Sequence, residues 1–425
     1  MARWQEDGPD GSSMSSTVES VGWIFADPAA YADPEEWHAA AKRIREESPI
    51  LKVELEGFPA FWAITKHSDV MEVERTPQIF TNAPVPTLVP MSSVEAAANA
   101  PVKTLVQMDG DEHRAHRAIV TDWFKPVAVK TMQTRIDELA VQHVDEMIAM
   151  GGRCDFVSDV ALQFPLRVIL SLLGLPESDY QRLLKLTQEI FGAEDPDFAR
   201  MAEDESQLNA LLDMVNYFTD LTSQRRSSPT ADLASAIANA EIDGQPLADL
   251  DTLGHYVIIA TAGHDTTSSS IAGGLLGLIE NPEQLELLQT QPDLIDHAAD
   301  EIVRYVSPVK HFARTCQERY SIRDVDFEPG DMLYLSYASA NRDDEVFPDP
   351  MRLDVTRANA SSHVAFGFGR HFCLGAHLAR MEIRAIFREL LGRIEHIELD
   401  GDPTWTKAYF VEGPKSIPIK FSVRP

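Results

Sequence analysis

The feature that most constrains this chain is a glycine-rich loop around one cysteine, Phe366-Gly367-Phe368-Gly369-Arg370-His371-Phe372-Cys373-Leu374-Gly375. Glycine adopts backbone conformations that other residues avoid, so this loop can turn tightly and approach a flat ligand closely. After the loop, apolar residues recur at helical spacing at Ala376, Ala379, Ile383, Ile386 and Leu390. Cys373 is therefore expected just before a helix amino terminus, where unpaired N–H groups and the helix dipole stabilise a thiolate. A side chain at position 375 is expected to crowd the sulfur, which Gly375 avoids.

The chemistry of Cys373 has three alternative assignments. A buried structural cysteine is the commonest fate of a free cysteine. A zinc site built on His371 and Cys373 lacks further cysteines or histidines at ligand spacing. A thiolate that ligates heme iron donates electron density that favours cleavage of the O–O bond. The pattern F-G-x-G-x-H-x-C-x-G resembles the heme loop of the cytochromes P450. That resemblance implies heme b (iron protoporphyrin IX) as cofactor and Cys373 as its iron ligand. It also implies Phe366 near the sulfur, Gly367 and Gly375 beside the heme, and His371 on a heme propionate.

A second motif, Ala262-Gly263-His264-Asp265-Thr266-Thr267, lies within a pattern that predicts one continuous helix from about Leu250 to Glu280. Consecutive threonines form helices poorly and can bond back to carbonyls, which predicts a loosened segment. Taken alone, these residues fit a helix cap or a satisfied threonine cluster. In the cytochromes P450 that the chain resembles, A-G-x-D-T-T is the oxygen-activation motif. It implies Ala262 against the heme, and Asp265 and Thr266 as a catalytic acid–alcohol pair that delivers protons. For His264, a satisfied helix histidine is the favoured interpretation.

Basic residues elsewhere suit an anionic ligand. His113 and Arg117 share one helix face, and the alternative is a solvated basic surface. The resemblance implies that both bind heme propionates together with Arg314, since arginine and histidine match carboxylates in charge and geometry. It also implies a buried ion-pair triad of Glu301, Arg304 and Arg357.

The overall pattern predicts a mainly α protein with small sheets toward both ends of the chain. The 425 residues are 44% hydrophobic, enough for a large core, and no linker or repeat divides them. We expect one domain over residues 21–425 and a flexible amino-terminal segment, residues 1–20. The resemblance implies the cytochrome P450 fold, a triangular helical prism with the heme between the long central helix and the cysteine-loop helix.

The formal net charge of −30 excludes a general affinity for nucleic acid, because polyanions repel each other. Simple solubility explains the acidity equally well. Three cysteines make no disulfide framework, and the acidic amino end is no secretion signal. The most apolar stretch, Val257 to Ile279, contains His264 and Asp265 at its centre, which a membrane span would not tolerate. These features predict a cytoplasmic protein without a membrane anchor, and we expect a monomer.

The resemblance extends from about Ala26 to the end and is strongest to a terpineol-oxidising member of the family. It rests on residues 260–270, 339–343, 345–347, 410–411 and 413–415. The loop 84–106 and the segment 185–203 are expected to line and cover the pocket. By position, the candidate substrate-binding residues are mostly apolar: Leu105, Ile258, Thr261, Ala262, Val309, Phe312, Phe410 and Val411.

The expected function is therefore a heme-thiolate monooxygenase that inserts one atom of O2 into a small hydrophobic substrate, a terpenoid or an aromatic hydrocarbon. No flavin or dinucleotide motif is present, so NAD(P)H electrons are expected through a ferredoxin reductase and a [2Fe-2S] ferredoxin. Between residues 113 and 135, Arg114, Arg117, Lys125, Lys130 and Arg135 oppose only Asp122, a patch suited to an acidic ferredoxin. Two alternatives stay open: a peroxide-driven peroxygenase, in which the acid–alcohol pair is usually missing, and a heme protein that only senses ligands.

Overall fold

The structure, a computed structural model, describes residues 18–191 and 204–425. Within these ranges the α-helices are α1 (Pro28–Tyr31), α2 (Pro34–Glu47), α3 (His67–Arg75), α4 (Val94–Ala98), α5 (Gly110–Phe124), α6 (Pro126–Thr131), α7 (Gln133–Ala149), α8 (Gln163–Leu173), α9 (Tyr180–Phe191), α10 (Asp204–Ser227), α11 (Leu233–Ala238), α12 (Asp249–Ala262), α13 (Asp265–Glu280), α14 (Pro282–Thr290), α15 (Ile295–Val306), α16 (Tyr337–Ala340) and α17 (Ala376–Arg393). A π-helical turn, Val157–Ala161, precedes α8. The 3₁₀ turns are Val18–Phe25, Met91–Ser93, Leu105–Gln107, Glu177–Asp179, Pro292–Leu294, Ala360–Ser362 and Gly369–His371.

The strands form small sheets, as predicted. They are β1 (Ile50–Val53), β2 (Phe61–Ile64), β3 (Phe80–Thr81), β4 (Arg153–Asp155), β5 (Glu241–Ile242), β6 (Gln245–Pro246), β7 (His311–Cys316), β8 (Tyr320–Ile322), β9 (Val325–Phe327), β10 (Met332–Ser336), β11 (Ile394–Leu399), β12 (Thr404–Trp405), β13 (Pro414–Ser416) and β14 (Pro418–Val423). The largest sheet has the order β1-β2-β10-β7-β3, and a second has the order β11-β14-β4. In the first, β10 pairs in parallel with β2 and antiparallel with β7, so Leu333 lies opposite both Trp62 and Arg314.

Local sequence explains the clearest helix. The amphipathic pattern of residues 34–47 predicts a helix, and α2 spans that range, with Pro34 in its first turn, where a missing N–H is harmless. The Asp33 side chain caps it by accepting a hydrogen bond from the Glu36 amide at 3.1 Å.

The long central helix is interrupted. Helix α12 ends at Ala262 and α13 begins at Asp265, with Gly263 and His264 between them. The prediction of one continuous helix from Leu250 to Glu280 is therefore wrong, although the predicted loosening occurs at the motif. A Cβ on Gly263 would lie 2.6 Å from Ile169 Cδ1, so a larger residue here would require that side chain of α8 to shift.

The main core lies between the long helices. Its fully buried members, at most 1% exposed, include Ile136 and Val144 on α7, Phe164 on α8, Ile271 on α13, Ile302 on α15 and Leu390 on α17. The predicted triad is confirmed within this region. Glu301 accepts from Arg304 at 2.7 and 2.8 Å and from Arg357 at 3.0 and 3.1 Å.

At the carboxyl end, the sequence predicts a strand pair of residues 408–411 and 417–423 around Glu412-Gly413-Pro414, and the structure differs from it. Strand β14 pairs with β11 and β4, while Val411 forms a bridge to Val309. The cause is Glu412, whose amide donates to Pro308 O at 3.0 Å and whose carboxylate lies 2.6 Å from Lys310 Nζ. These contacts hold the segment against residues 308–310, so it cannot fold back on β14.

Some predictions fall outside the described residues. The predicted flexible segment 1–20 is described only from Val18, where the first 3₁₀ turn begins, and the expected pocket cover 185–203 only as far as Phe191. Among the described helices, none is both long and apolar enough to cross a membrane.

Candidate active site

A mostly apolar cavity separates α12 and α13 from the loop that precedes α17. It brings together most of the residues singled out in the sequence. Its lining includes Leu105, His113, Arg117, Ile258, Ala262, Thr266, Val309, Phe312, Arg314, Phe366, Gly367, His371, Cys373 and Gly375. Segments that are far apart in sequence therefore meet around one space.

The cysteine loop forms one wall of the cavity. The Cys373 amide donates to Phe366 O at 2.8 Å, which closes the loop, and α17 begins three residues later. Gly367 and Gly369 have positive φ values of 65° and 68°. A Cβ on Gly369 would also lie 2.6 Å from Glu74 O, so glycine is required there for space as well as conformation.

The environment of Cys373 opposes and favours its thiolate at once. Burial raises the pKa of the thiol, while the amides of Gly375 and Ala376 and the positive charges of Arg117 and Arg380 lower it. The helix amino terminus thus lowers the pKa of Cys373, as predicted, but burial raises this pKa by more. A ligand that binds sulfur would add the missing stabilisation of the charge.

The expected crowding at position 375 is not found. A Cβ built on Gly375, which has a φ of −82°, meets no atom within 4 Å. The space beside Gly375 is part of the cavity, and the Cys373 sulfur does not fill it.

A polar edge interrupts the apolar wall. The rings of His113 and His371 lie 4.2 Å apart, and His371 Nε2 is 3.5 Å from Asp109 Oδ1, too far for a strong hydrogen bond. Among the described residues, His113 Nδ1 and His371 Nε2 have no hydrogen-bond partner although both are buried. Burial and the neighbouring cations lower the pKa of His113 to about 4. Both histidines line the cavity, so a polar ligand group bound at this edge would lie beside them.

Two arginines border the same edge. Arg117 Nη2 donates to Phe372 O at 2.7 Å, and Arg314 Nη2 donates to Glu74 Oε1 at 3.1 Å. Tyr337 also donates to Glu74, at 2.7 Å, and burial raises the pKa of this carboxyl to about 7 despite both partners. A flat, mostly apolar ligand with carboxylates on one edge fits this set of donors, and heme has that form.

The opposite wall carries the threonine motif. Ala262, Gly263, Thr266 and Thr267 line the cavity, whereas Asp265 does not. The Asp265 carboxylate, 19% exposed, instead lies beside His264, with 3.0 Å between Oδ1 and Nδ1. The two members of the predicted acid–alcohol pair therefore lie differently, because Thr266 lines the cavity and Asp265 does not.

Only some of the predicted substrate-binding residues line the cavity. Leu105, Ile258, Val309 and Phe312 line the cavity, as does Ala262, but three others do not: Thr261, Phe410 and Val411. Thr261 is buried and donates to Val257 O at 2.7 Å. Phe410 packs behind Phe312, with ring centroids 5.3 Å apart at 75°, and Val411 is held by its bridge to Val309.

Sequence reasoning missed other lining residues. Glu382 is buried, and burial raises the pKa of its carboxyl well above the usual range. Helical spacing could have found it, because Leu378, Ala379 and Glu382 follow Gly375 by three, four and seven positions. Asn82, Phe124 and Tyr337 come from distant segments and carry no local signal.

Comparisons with known proteins agree with this geometry. The family model of cytochrome P450 matches residues 91–421. Cytochrome P450-terp from a Pseudomonas species is 39% identical over 93% of this chain and 96% of its own length. Linalool 8-monooxygenase of Pseudomonas putida is 32% identical over 90% of this chain and 95% of its own length. The crystal structure of CYP108D1 from Novosphingobium aromaticivorans superposes with a TM-score of 0.88 at 35% identity, covering 96% of this chain and 99% of that one.

These matches confirm the predicted fold and the thiolate-bound heme cofactor. The chain belongs to the cytochrome P450 family and is a monooxygenase of that family.

Proposed function

We propose that this monooxygenase inserts one atom of O2 into a small hydrophobic substrate, a terpenoid or an aromatic hydrocarbon. The observation that carries the proposal is a single apolar cavity with Cys373 on one wall and Thr266 on the other. Heme bound there supplies the binding and reductive activation of dioxygen.

Five residues would hold the heme. Cys373 supplies the thiolate, and His113 and His371 line the polar edge of the cavity, where propionates would lie. Arg117 and Arg314 add positive charge at that edge, which suits two carboxylates. Ala262, with its small side chain, leaves room for the flat ring on the opposite side.

The proton pathway uses the two halves of the motif differently. Thr266 faces the cavity and holds a water near the reacting oxygen, while Asp265 feeds protons from behind the wall. Water must connect them, because the carboxylate does not line the cavity.

The substrate class follows from the chemistry of the wall. Leu105, Ile258, Val309 and Phe312 offer apolar contacts, and Phe312 presents an aromatic ring. The relatives named P450-terp and linalool 8-monooxygenase support a terpenoid of similar size.

For electron delivery we propose a [2Fe-2S] ferredoxin with its reductase, docking on the patch between residues 113 and 135. Its charges are partly compensated: Lys125 lies 2.6 Å from Asp122, and Arg114 pairs with Asp111. Lys130 is exposed beside Val127, which is 82% exposed. An acidic partner would meet a cation and an apolar contact there.

The test is a binding and turnover assay on the heme-loaded enzyme. Linalool, α-terpineol and naphthalene are titrated while the Soret band is monitored, with glucose and glycine as controls. We expect micromolar-range shifts with at least one hydrocarbon or terpenoid, and oxygenated product from NADH, reductase and ferredoxin. Shifts with polar controls only would refute the substrate class. Product from hydrogen peroxide alone, with none from NADH, would identify a peroxygenase, and ligand binding without any product would identify a sensor.

A further inference from the structure

His264 occupies the break in the central helix and is fully buried, with 0% exposure. Its Nε2 lies 2.8 Å from Leu162 O, at the end of the π-helical turn that precedes α8. A carbonyl oxygen can only accept, so Nε2 carries the proton in this contact. This hydrogen bond holds the break in the central helix against the end of the π-helical turn.

The other ring nitrogen faces the acid of the motif. His264 Nδ1 lies 3.0 Å from Asp265 Oδ1, an ion-pair contact rather than a straight hydrogen bond. Because Nε2 already holds a proton, a neutral ring would place an unprotonated nitrogen, with its partial negative charge, 3.0 Å from a carboxylate oxygen. Two acceptors at this distance repel each other, so the contact requires one additional proton.

No other described charge compensates this pair. On the π-helical turn, Asp159 faces away and accepts from the Asp155 amide at 2.9 Å. On α8, Arg167 lies 3.6 Å from Glu146 and covers the Tyr180 ring. Burial alone would lower the pKa of His264, but Asp265 and the Leu162 carbonyl raise it, and the net direction is upward.

We propose that His264 is a positioning residue for Asp265 and that its imidazolium stores the proton which Asp265 passes on. The inference rests on the proposed role of Asp265 and Thr266 as proton donors. In each delivery, the Nδ1–H proton moves to Asp265 Oδ1, and the carboxyl gives a proton to a water on the cavity side. A proton from solvent, taken up through the Asp265 carboxylate, which is 19% exposed, then restores the imidazolium, and the Nε2–H bond to Leu162 keeps the ring in place throughout.

The first test measures the protonation of His264 without turnover. The heme-loaded, ferrous–CO enzyme is diamagnetic, so ¹⁵N-labelled histidine can be titrated by NMR, with His264→Gln to assign the resonance. We expect more than half of His264 to be doubly protonated at pH 6.5, the pKa of a free histidine, and less than half in Asp265→Asn. A parent His264 that is mostly neutral at that pH, or that ignores Asp265→Asn, would overturn the proposal.

The second test separates a proton store from a structural histidine. The glutamine of His264→Gln can still donate to Leu162 O but cannot take up a proton. We expect product formation to fall about tenfold, less than the loss typical of a direct general acid, with a larger solvent isotope effect on oxygen consumption. The matched control is His143→Gln, because His143 is equally buried and its Nδ1 lies 2.7 Å from Leu139 O. Equal solvent isotope effects in His264→Gln and His143→Gln would reject the proposal that His264 stores a proton.

The two proposals can fail separately. Suppose His264 is neutral, but Thr266→Ala still lowers the product formed per NADH. That result would reject proton storage by His264 and leave the monooxygenase proposal intact. A protonated His264 in an enzyme that forms no product from NADH would reject the monooxygenase proposal and leave the proposed proton storage intact.

Discussion

The Thr266 hydroxyl donates to the carbonyl of Ala262 at 2.8 Å, across the break between α12 and α13. Because its single proton is committed to that carbonyl, the oxygen can act toward the cavity only as an acceptor. It can therefore hold and orient a water, whereas the proton itself must come from elsewhere. Of the two motif residues, Thr266 therefore positions water and Asp265 supplies protons.

We expect Thr266→Ala to consume NADH and oxygen at a near-normal rate while product per NADH falls by about an order of magnitude and hydrogen peroxide rises. Without the acceptor, water is no longer held at the reacting oxygen. Thr266→Ser is the matched control, because it keeps the hydroxyl and should keep most of the coupling. Product per NADH equal to that of the parent in Thr266→Ala would reject this role. Asp265→Asn should instead slow oxygen consumption itself.

Cys373→Ala should abolish the red-shifted ferrous–CO absorption band that distinguishes thiolate-ligated heme. The expected reason is loss of the sulfur ligand at the cavity wall. Cys154→Ala and Cys316→Ala, which change the two other free cysteines, should leave the band in place. Circular dichroism would check that each variant is folded, and a folded Cys373→Ala protein with the parent band would refute the assignment.

Charge reversal should identify the ferredoxin-docking surface. Lys130→Glu should raise the apparent KM for ferredoxin more than Lys125→Glu does, since Lys125 is already paired with Asp122. Turnover should also fall as salt rises, because screening weakens contacts between exposed charges. Lys42→Glu, on α2 and outside the patch, is the control. A KM that ignores both substitutions and salt would place the docking surface elsewhere.

His311 should make the fold sensitive to acid. Its Nδ1 lies 3.0 Å from Tyr409 O and so carries the proton, while Nε2 accepts from the Leu88 amide at 2.9 Å. Protonation of Nε2 would break the second bond, and burial lowers the pKa of His311 to about 3. The unfolded chain binds the proton more tightly, so this contribution to stability is complete above about pH 6.5 and is lost as pH falls toward 3.

The measurement is the free energy of unfolding in urea between pH 7 and pH 4. The parent should lose up to about 1.4 kcal/mol per pH unit through this residue, and His311→Gln should show a flatter dependence. His396→Gln changes an exposed histidine and should keep the parent slope. Parallel slopes in the parent and His311→Gln would contradict the assignment.

Local patterns predicted well what local forces determine. The turn conformations of Gly367 and Gly369, the start of α17 and the range of α2 all follow from residues within a few positions of each other. The contact of His264 with the Leu162 carbonyl spans 102 positions, and the pairing of Arg314 with Glu74 spans 240 positions. Neither contact leaves a periodic trace in the sequence. A single domain over residues 21–425, a cytoplasmic location and a monomer stay predictions.

The assignment of substrate residues was limited by side-chain direction. Phe410 and Phe312 were both predicted to line the pocket, but one aromatic ring packs behind the other. Thr261 immediately precedes Ala262, yet its hydroxyl turns back to Val257. Proximity along a helix or strand placed these residues near the cavity, and only packing decides which of them reaches it.

The histidines and arginines on the polar edge of the cavity tie the folding of this chain to its cofactor supply, because they come together only in the native state. A ligand that binds there adds stability by mass action, about 4 kcal/mol when its free concentration is 1,000 times its Kd. The midpoint of thermal unfolding therefore rises with available heme, and a cell short of heme would hold less folded protein even at an unchanged rate of synthesis.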